Sequence, residues 1–201
     1  MIRLLAVLLA FAGPAFATTD GWPALYDVTG VASDDVLNIR TEPDAASEII
    51  GTLAHDAVNV EVIRPNEDYT WGLVNLREFS GWVSLNYLAR HPGQWDGKYP
   101  EVTTCYGTEP FWNIRLTGDV VAFSGLDLDS LTAPLEWKRE TLNHRGRHSF
   151  RAGPMVGIFS NANCNDGMSN AEFGIEINLI RLDQPYHYQG CCSIQPPEAS
   201  R

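Results

Sequence analysis

Phe173-Gly174-Ile175-Glu176-Ile177-Asn178-Leu179-Ile180 decides the fold class. Apolar residues recur at every second position, the period of a strand with one buried face. The same half of the chain repeats the pattern in shorter runs. Trp112, Ile114 and Leu116 share one face of the stretch that begins at Cys105. Val120–Phe123, Leu135–Arg139, Arg147–Arg151, Val156–Ser160 and His187–Cys192 follow. Asn143-His144-Arg145-Gly146 reads as a hairpin turn with Gly146 at positive φ. Residues 101–195 are therefore expected to form an antiparallel β-barrel or sandwich of about six to eight strands.

The first half is also all-β. Tyr26–Val31, Val36–Arg40, Ile49–Leu53, Val58–Ile63, Tyr69–Leu76 and Gly81–Val83 are short strand-like runs. Turn signals at Thr41-Glu42-Pro43-Asp44 and Arg64–Asp68 divide them. This pattern predicts a small barrel within residues 18–90. His91–Pro100 carries two prolines and two glycines and reads as a linker, 91–100. Trp95 and Tyr99 predict that it lies against a domain.

Residues 1–17 have the layout of a cleavable export signal: Arg3, an apolar Leu4–Ala12, then Ala15-Phe16-Ala17. The mature chain is expected to begin at about Thr18, without a lipid anchor or a later membrane span, and residues 196–201 form a tail. The expected location is periplasmic or secreted. Four cysteines in an oxidising compartment predict two disulfides. A trans peptide holds the Cα atoms of Cys191 and Cys192 about 3.8 Å apart, too close for the usual bridge. Each should reach separately to Cys105 or Cys164, one bridge inside the barrel and one outside. The alternative, a metal site of thiolates with His187, lacks Cys-x-x-Cys spacing. No metal and no cofactor is expected.

The net charge is -11. Twelve acidic residues face four basic ones in residues 18–90, and thirteen face nine in 91–201. That balance argues against nucleic acid, whose phosphates need clustered cations. The acidity of the first half suits a solvated surface, or a face that attracts amines.

Several motifs carry a family resemblance. Val28-Thr29, Leu37-Asn38-Ile39-Arg40 with Pro43, Ile50-Gly51, Trp71, Gly81-Trp82-Val83 and Tyr87-Leu88 resemble a bacterial Src-homology-3 (SH3-like) domain. The resemblance implies a small β-barrel that recognises peptidoglycan, its stem peptides or a protein partner. Gly107-Thr108-Glu109-Pro110-Phe111-Trp112, Cys164-Asn165-Asp166-Gly167-Met168-Ser169 and Gly190-Cys191-Cys192 resemble a family of bacterial envelope domains without an assigned activity. That family is similar in architecture to lipocalin-like barrels. Its pattern of retained cysteines implies Cys164–Cys191, leaving Cys105–Cys192.

The ligand-facing candidates in the first domain are Asn38, Tyr69, Trp71 and Trp82, because aromatic faces give contact area at small entropic cost. Trp82 and one face of Trp71 equally suit the core. Arg40 sits with Asn38 beside the turn as a polar contact, or pairs with a nearby carboxylate, the second being favoured. In the second domain Lys138–Arg151 holds five of the chain's fourteen Lys and Arg. Arg145, Arg147 and His148 are the candidates for an anion-binding surface, against a solvated hairpin whose charges discourage edge pairing. No nucleophile elbow, phosphate loop or dinucleotide fingerprint occurs, so no catalytic residue is assigned. Glu109 is expected to accept backbone hydrogen bonds at a strand start, and Asp166 to organise the turn from Asn163 to Ser169, rather than to act as an acid/base pair. The sequence thus predicts an exported, non-enzymatic envelope-binding protein, with a cell-wall or envelope-protein partner. An inhibitor or regulator of a cell-wall hydrolase is second, a hydrolytic enzyme third.

Overall fold

The computed structural model describes residues 19–196. The expected leader and the tail after residue 196 lie outside them. The first domain comprises β1 (Ala24–Val28), β2 (Val36–Arg40), β3 (Ile49–Ala54), β4 (Val60–Val62), β5 (Arg64–Pro65), β6 (Trp71–Leu76), β7 (Phe79–Ser84), a 3₁₀ turn (Leu85–Tyr87) and β8 (Leu88–Arg90). They form two sheets, β4-β1-β8 and β3-β2-β7-β6-β5, around one core. Period two supplies that core: Ala24, Tyr26 and Val28 from β1, Leu37 and Ile39 from β2, Val83 from β7. Gly72 lets the two sheets approach, and Gly81 gives room to β2, its neighbour in the same sheet. A Cβ on Gly72 would lie 2.5 Å from a Val62 methyl, and one on Gly81 2.5 Å from an Ile39 methyl.

The second domain is a closed eight-stranded meander. Its strands are β9 (Thr104–Gly107), β10 (Trp112–Thr117), β11 (Val120–Gly125), β12 (Leu128–Glu140), β13 (Arg147–Ala152), β14 (Met155–Asn165), β15 (Glu172–Arg181) and β16 (His187–Ser193). Each pairs antiparallel with the next, and β16 returns to pair with β9. Inward residues fill the barrel. Phe123, Phe150, Phe159, Ile114, Ile175, Ile177 and Leu179 are all buried there, and each fully buried side chain of this size contributes about 1.5–3 kcal/mol. Arg181, 3 % exposed, closes one end. Its guanidinium lies over Phe123 and is held by Asp183 at 2.6 Å and by the Asp129 carbonyl, so the buried charge is paired.

Both disulfides are present. Cys105–Cys192 joins directly opposed residues of β9 and β16 and faces the barrel core. Cys164–Cys191 lies on the outside with Ala171 and Phe173. Adjacent residues of one strand point to opposite faces, which is why neighbouring cysteines serve different bridges.

The segment 91–100 packs against both domains. Gln94 pairs with β1 as a strand would: its side-chain amide donates to the Leu25 carbonyl and accepts the Leu25 N–H. Arg90 sits over the rings of Trp22 and Tyr26 and donates to the carbonyls of Gly21 and Gln94. At the other end of the segment, Tyr99 packs edge-on against His148 and Phe159 of the barrel.

The domains also meet directly. Arg64 pairs with Glu172 at 3.0 Å, the Asn75 amide donates to the Glu172 carbonyl, and Glu172 N–H donates to the Ser80 hydroxyl. Gly174 is glycine because β15 touches the first domain there: a Cβ would lie 2.8 Å from Pro23. At the centre of the contact Glu61 is 8 % exposed. It accepts hydrogen bonds from the Ser193 hydroxyl and the N–H groups of Ile194 and Gln195. Burial raises its pKa above the ordinary 4.5, outweighing these three donors. The folded value exceeds the unfolded one, so the fold favours the protonated acid. That stabilisation is fully present below about pH 4.5 and is lost as pH rises through the folded value. Glu61→Gln is expected to flatten this decline in urea unfolding followed from about pH 4.5 to 8. An unchanged pH profile in the variant would assign the dependence to another group.

Candidate functional site

Alternation along the five-stranded sheet of the first domain sorts its residues. Leu37 and Ile39 point into the core, so Asn38 and Arg40 point out. Val83 points in, so Trp82 and Ser84 point out, and register sets Ser84 opposite Trp71. Asn38, Arg40, Trp71 and Ser84 then line an open groove of about 490 Å³, completed by Tyr87, Asp35 and the Gly30–Ala32 turn. The groove has two aromatic walls, Trp71 and Tyr87, and a polar floor with one charge of each sign.

The backbone around it is well fixed. Asn66 caps the loop before β6 by accepting the N–H groups of Thr70 and Trp71 at 2.9 and 3.0 Å. The Tyr87 carbonyl accepts the Thr29 N–H at 2.9 Å. Arg40 makes no carboxylate pair among the described residues; its guanidinium donates to the Ser47 carbonyl at 2.6 Å. The expected ion pair is replaced by a brace across the β2–β3 turn.

Of the four first-domain candidates, the groove gathers Asn38 and Trp71. Tyr69 sits in the β5–β6 turn at φ 57°, 66 % exposed, and does not line it. Trp82 is on the outer face, not in the core, and one ring face is covered by the Arg64 guanidinium at 5.2 Å. Since Arg64 is itself held by Glu172, Trp82 belongs to the contact between the domains. Tyr87 and Asp35 were missed. Tyr87 lies in a quoted motif, but its direction depends on the 3₁₀ turn, which has no period-two signature.

The basic hairpin differs from expectation at His148 and at Gly146. His148 is 1 % exposed and faces the barrel interior, opposite Phe159, where neither ring nitrogen has a hydrogen-bond partner. Burial holds its pKa below the ordinary value, against the opposing influence of Glu140, the Arg145 backbone and Asp96. A neutral buried ring cannot hold a surface anion. Gly146 is not among the glycines with positive φ; the turn brings it against Asn161, whose N–H its carbonyl accepts. Arg145 and Arg147 remain exposed. Their neighbours are partly neutralised, Arg151 by Glu136 at 3.2 Å and Lys138 by Glu101 at 4.0 Å.

Glu109 and Asp166 line one cleft of the second domain. Asp166 organises its turn by accepting the N–H groups of Met168 and Ser169 and the Ser169 hydroxyl. Burial pushes its pKa up, but these donors outweigh burial and hold it below the ordinary value. A carboxylate whose lone pairs are so engaged makes a poor proton shuttle. Glu109 is exposed at φ 57° and accepts no hydrogen bond from a described residue, contrary to expectation. Among the described residues no three His, Cys, Asp or Glu converge as metal ligands, and no helix is long and apolar enough to cross a membrane. Compared with protein-family models, curated proteins and solved structures, the chain matches none.

Proposed function

We propose that the protein is an exported, non-enzymatic binding protein of the bacterial cell envelope, working in the periplasm. In this reading the first domain is SH3-like, and its groove grips a stem peptide of peptidoglycan. The observation that carries the proposal is the groove itself. Trp71 and Tyr87 offer flat apolar faces, while Asn38, Arg40 and Asp35 supply polar and oppositely charged partners. A short peptide bearing an amine and carboxylates presents the complementary set. Two disulfides and the absence of a free cysteine among the described residues suit an oxidising compartment.

The test is co-sedimentation of the full mature chain with purified peptidoglycan sacculi. Trp71→Ala is expected to weaken binding by roughly 1–2 kcal/mol, about tenfold, as for one aromatic anchor. Trp71 lies outside the first core, so the variant should keep its melting temperature. A folded Trp71→Ala protein that sediments like the parent would remove the groove from the interaction. Parent protein that stays in the supernatant would end the peptidoglycan reading.

A further inference from the structure

The second domain carries its own groove, of about 810 Å³, where the 107–110 turn, the 163–167 loop and β16 meet. Its lining contains no Lys or Arg but includes the carboxylates of Glu109, Asp166 and Glu176. That field repels anions and admits uncharged or cationic ligands. The frame of the groove is rigid. Cys164–Cys191 staples the loop to β16, the Thr108 hydroxyl donates to the Asp166 carbonyl, and Asn165 donates to the carbonyls of Ser169 and Ala171. The loop's polar groups are thus spent on holding its shape.

The remaining polar side chains are not. Glu109, Asn163, His187 and Gln189 line the groove, and none of these side chains is hydrogen-bonded to a described residue. Tyr186 stands at the groove 55 % exposed, its ring braced edge-on by Tyr188 at 5.8 Å. An exposed aromatic ring beside planar amides and carboxylates complements one kind of ligand. Sugar rings have an apolar C–H face that packs on an aromatic ring, and hydroxyls at the edge that donate to carboxylates and amides. An acetamido group adds one N–H and one C=O, the pair that a Gln or Asn amide satisfies. The volume lies at the upper end of the roughly 300–1,000 Å³ of small-molecule sites, which suits a short chain more than one ring. Preformed shape lowers the ordering cost of binding.

We propose that this groove binds an uncharged N-acetylated oligosaccharide. The inference rests on no part of the first-domain groove, so the two readings fail separately.

The probe is the tetramer of N-acetylglucosamine, titrated into the full mature chain by isothermal calorimetry. Saturable binding is expected, weakened about tenfold or more by Tyr186→Ala with Gln189→Ala, both at exposed positions. Tyr186→Phe should bind like the parent, because the ring is retained, and Trp71→Ala should be unaffected. Near-UV circular dichroism checks that each variant is folded. No saturable binding up to ~1 mM tetramer overturns the proposal. So does binding that survives the double substitution, or that Trp71→Ala abolishes.

Discussion

Gly190→Ala is expected to destabilise the second barrel by on the order of 3 kcal/mol, at the upper end of what overpacking costs. A Cβ at this position would lie 2.1 Å from the Tyr106 carbonyl oxygen and 2.9 Å from the Trp112 ring. Neither neighbour can yield. Tyr106 is paired with Cys191 in the β9–β16 ladder, next to the Cys105–Cys192 bridge. Trp112 is 3 % exposed, stacked on Phe123 and tilted against Tyr188. Gly107 repeats the constraint from the other side, since its Cβ would lie 2.1 Å from the Trp112 indole nitrogen. Two glycines from distant motifs thus make room for one tryptophan. Gly118→Ala is the control. Nothing lies within 4 Å of its Cβ, and only the positive φ of 57° is penalised, by roughly 1–2 kcal/mol. Urea midpoints of the two variants decide the matter. If Gly190→Ala is no worse than Gly118→Ala, the close approach is not what fixes this residue.

The second large effect comes from the bridges. Cys105–Cys192 spans 87 residues and Cys164–Cys191 spans 27. Loop-closure entropy assigns them about 4–5 and 3–4 kcal/mol respectively. Replacing Cys105 and Cys192 together by alanine should therefore cost more than replacing Cys164 and Cys191, and it also leaves a void in the barrel core. Urea unfolding of the two double variants gives the order directly. A larger loss from the outer pair would mean that the outer loop, not chain length, dominates.

The alternation from Phe173 to Ile180 was enough to assign β15, and Leu37 to Arg40 enough to sort β2 into inner and outer faces. Period two is a local property, and strands with one face on a core display it. Other features needed information from far along the chain. Glu61 alternates with the core residues Val60 and Val62 and so points out of its own core. The cover over it is Ser193–Gln195 of the other domain. Trp82 is drawn away from the groove for the same reason, through Arg64 and Glu172. β12 begins at Leu128, well before the Leu135 start expected, because Asp129, Ser130 and Pro134 mask its alternation. His148 was misplaced because its charged neighbours suggested a surface, although its position relative to Phe150 puts both on the inner face. Within the groove, Asn38 and Trp71 were readable as outward-facing candidates, while Tyr87, although part of a motif, has its direction set by the 3₁₀ turn.

The meander that closes on itself sets an order of events during biogenesis. As the chain emerges, β9 can pair with β10 but keeps a free edge until β16 arrives. Residues 187–195 then complete the ring, supply a sulfur to each bridge, and cover Glu61. Hairpins can zip as they appear, whereas this last pairing joins strands far apart in sequence and is the slow kind of contact. Until it forms, an unpaired edge and reactive thiols are exposed together. The vulnerable interval in the life of this protein therefore runs from the emergence of Cys105 until β16 has closed on β9, and a chaperone or an oxidant that acts on it would act there.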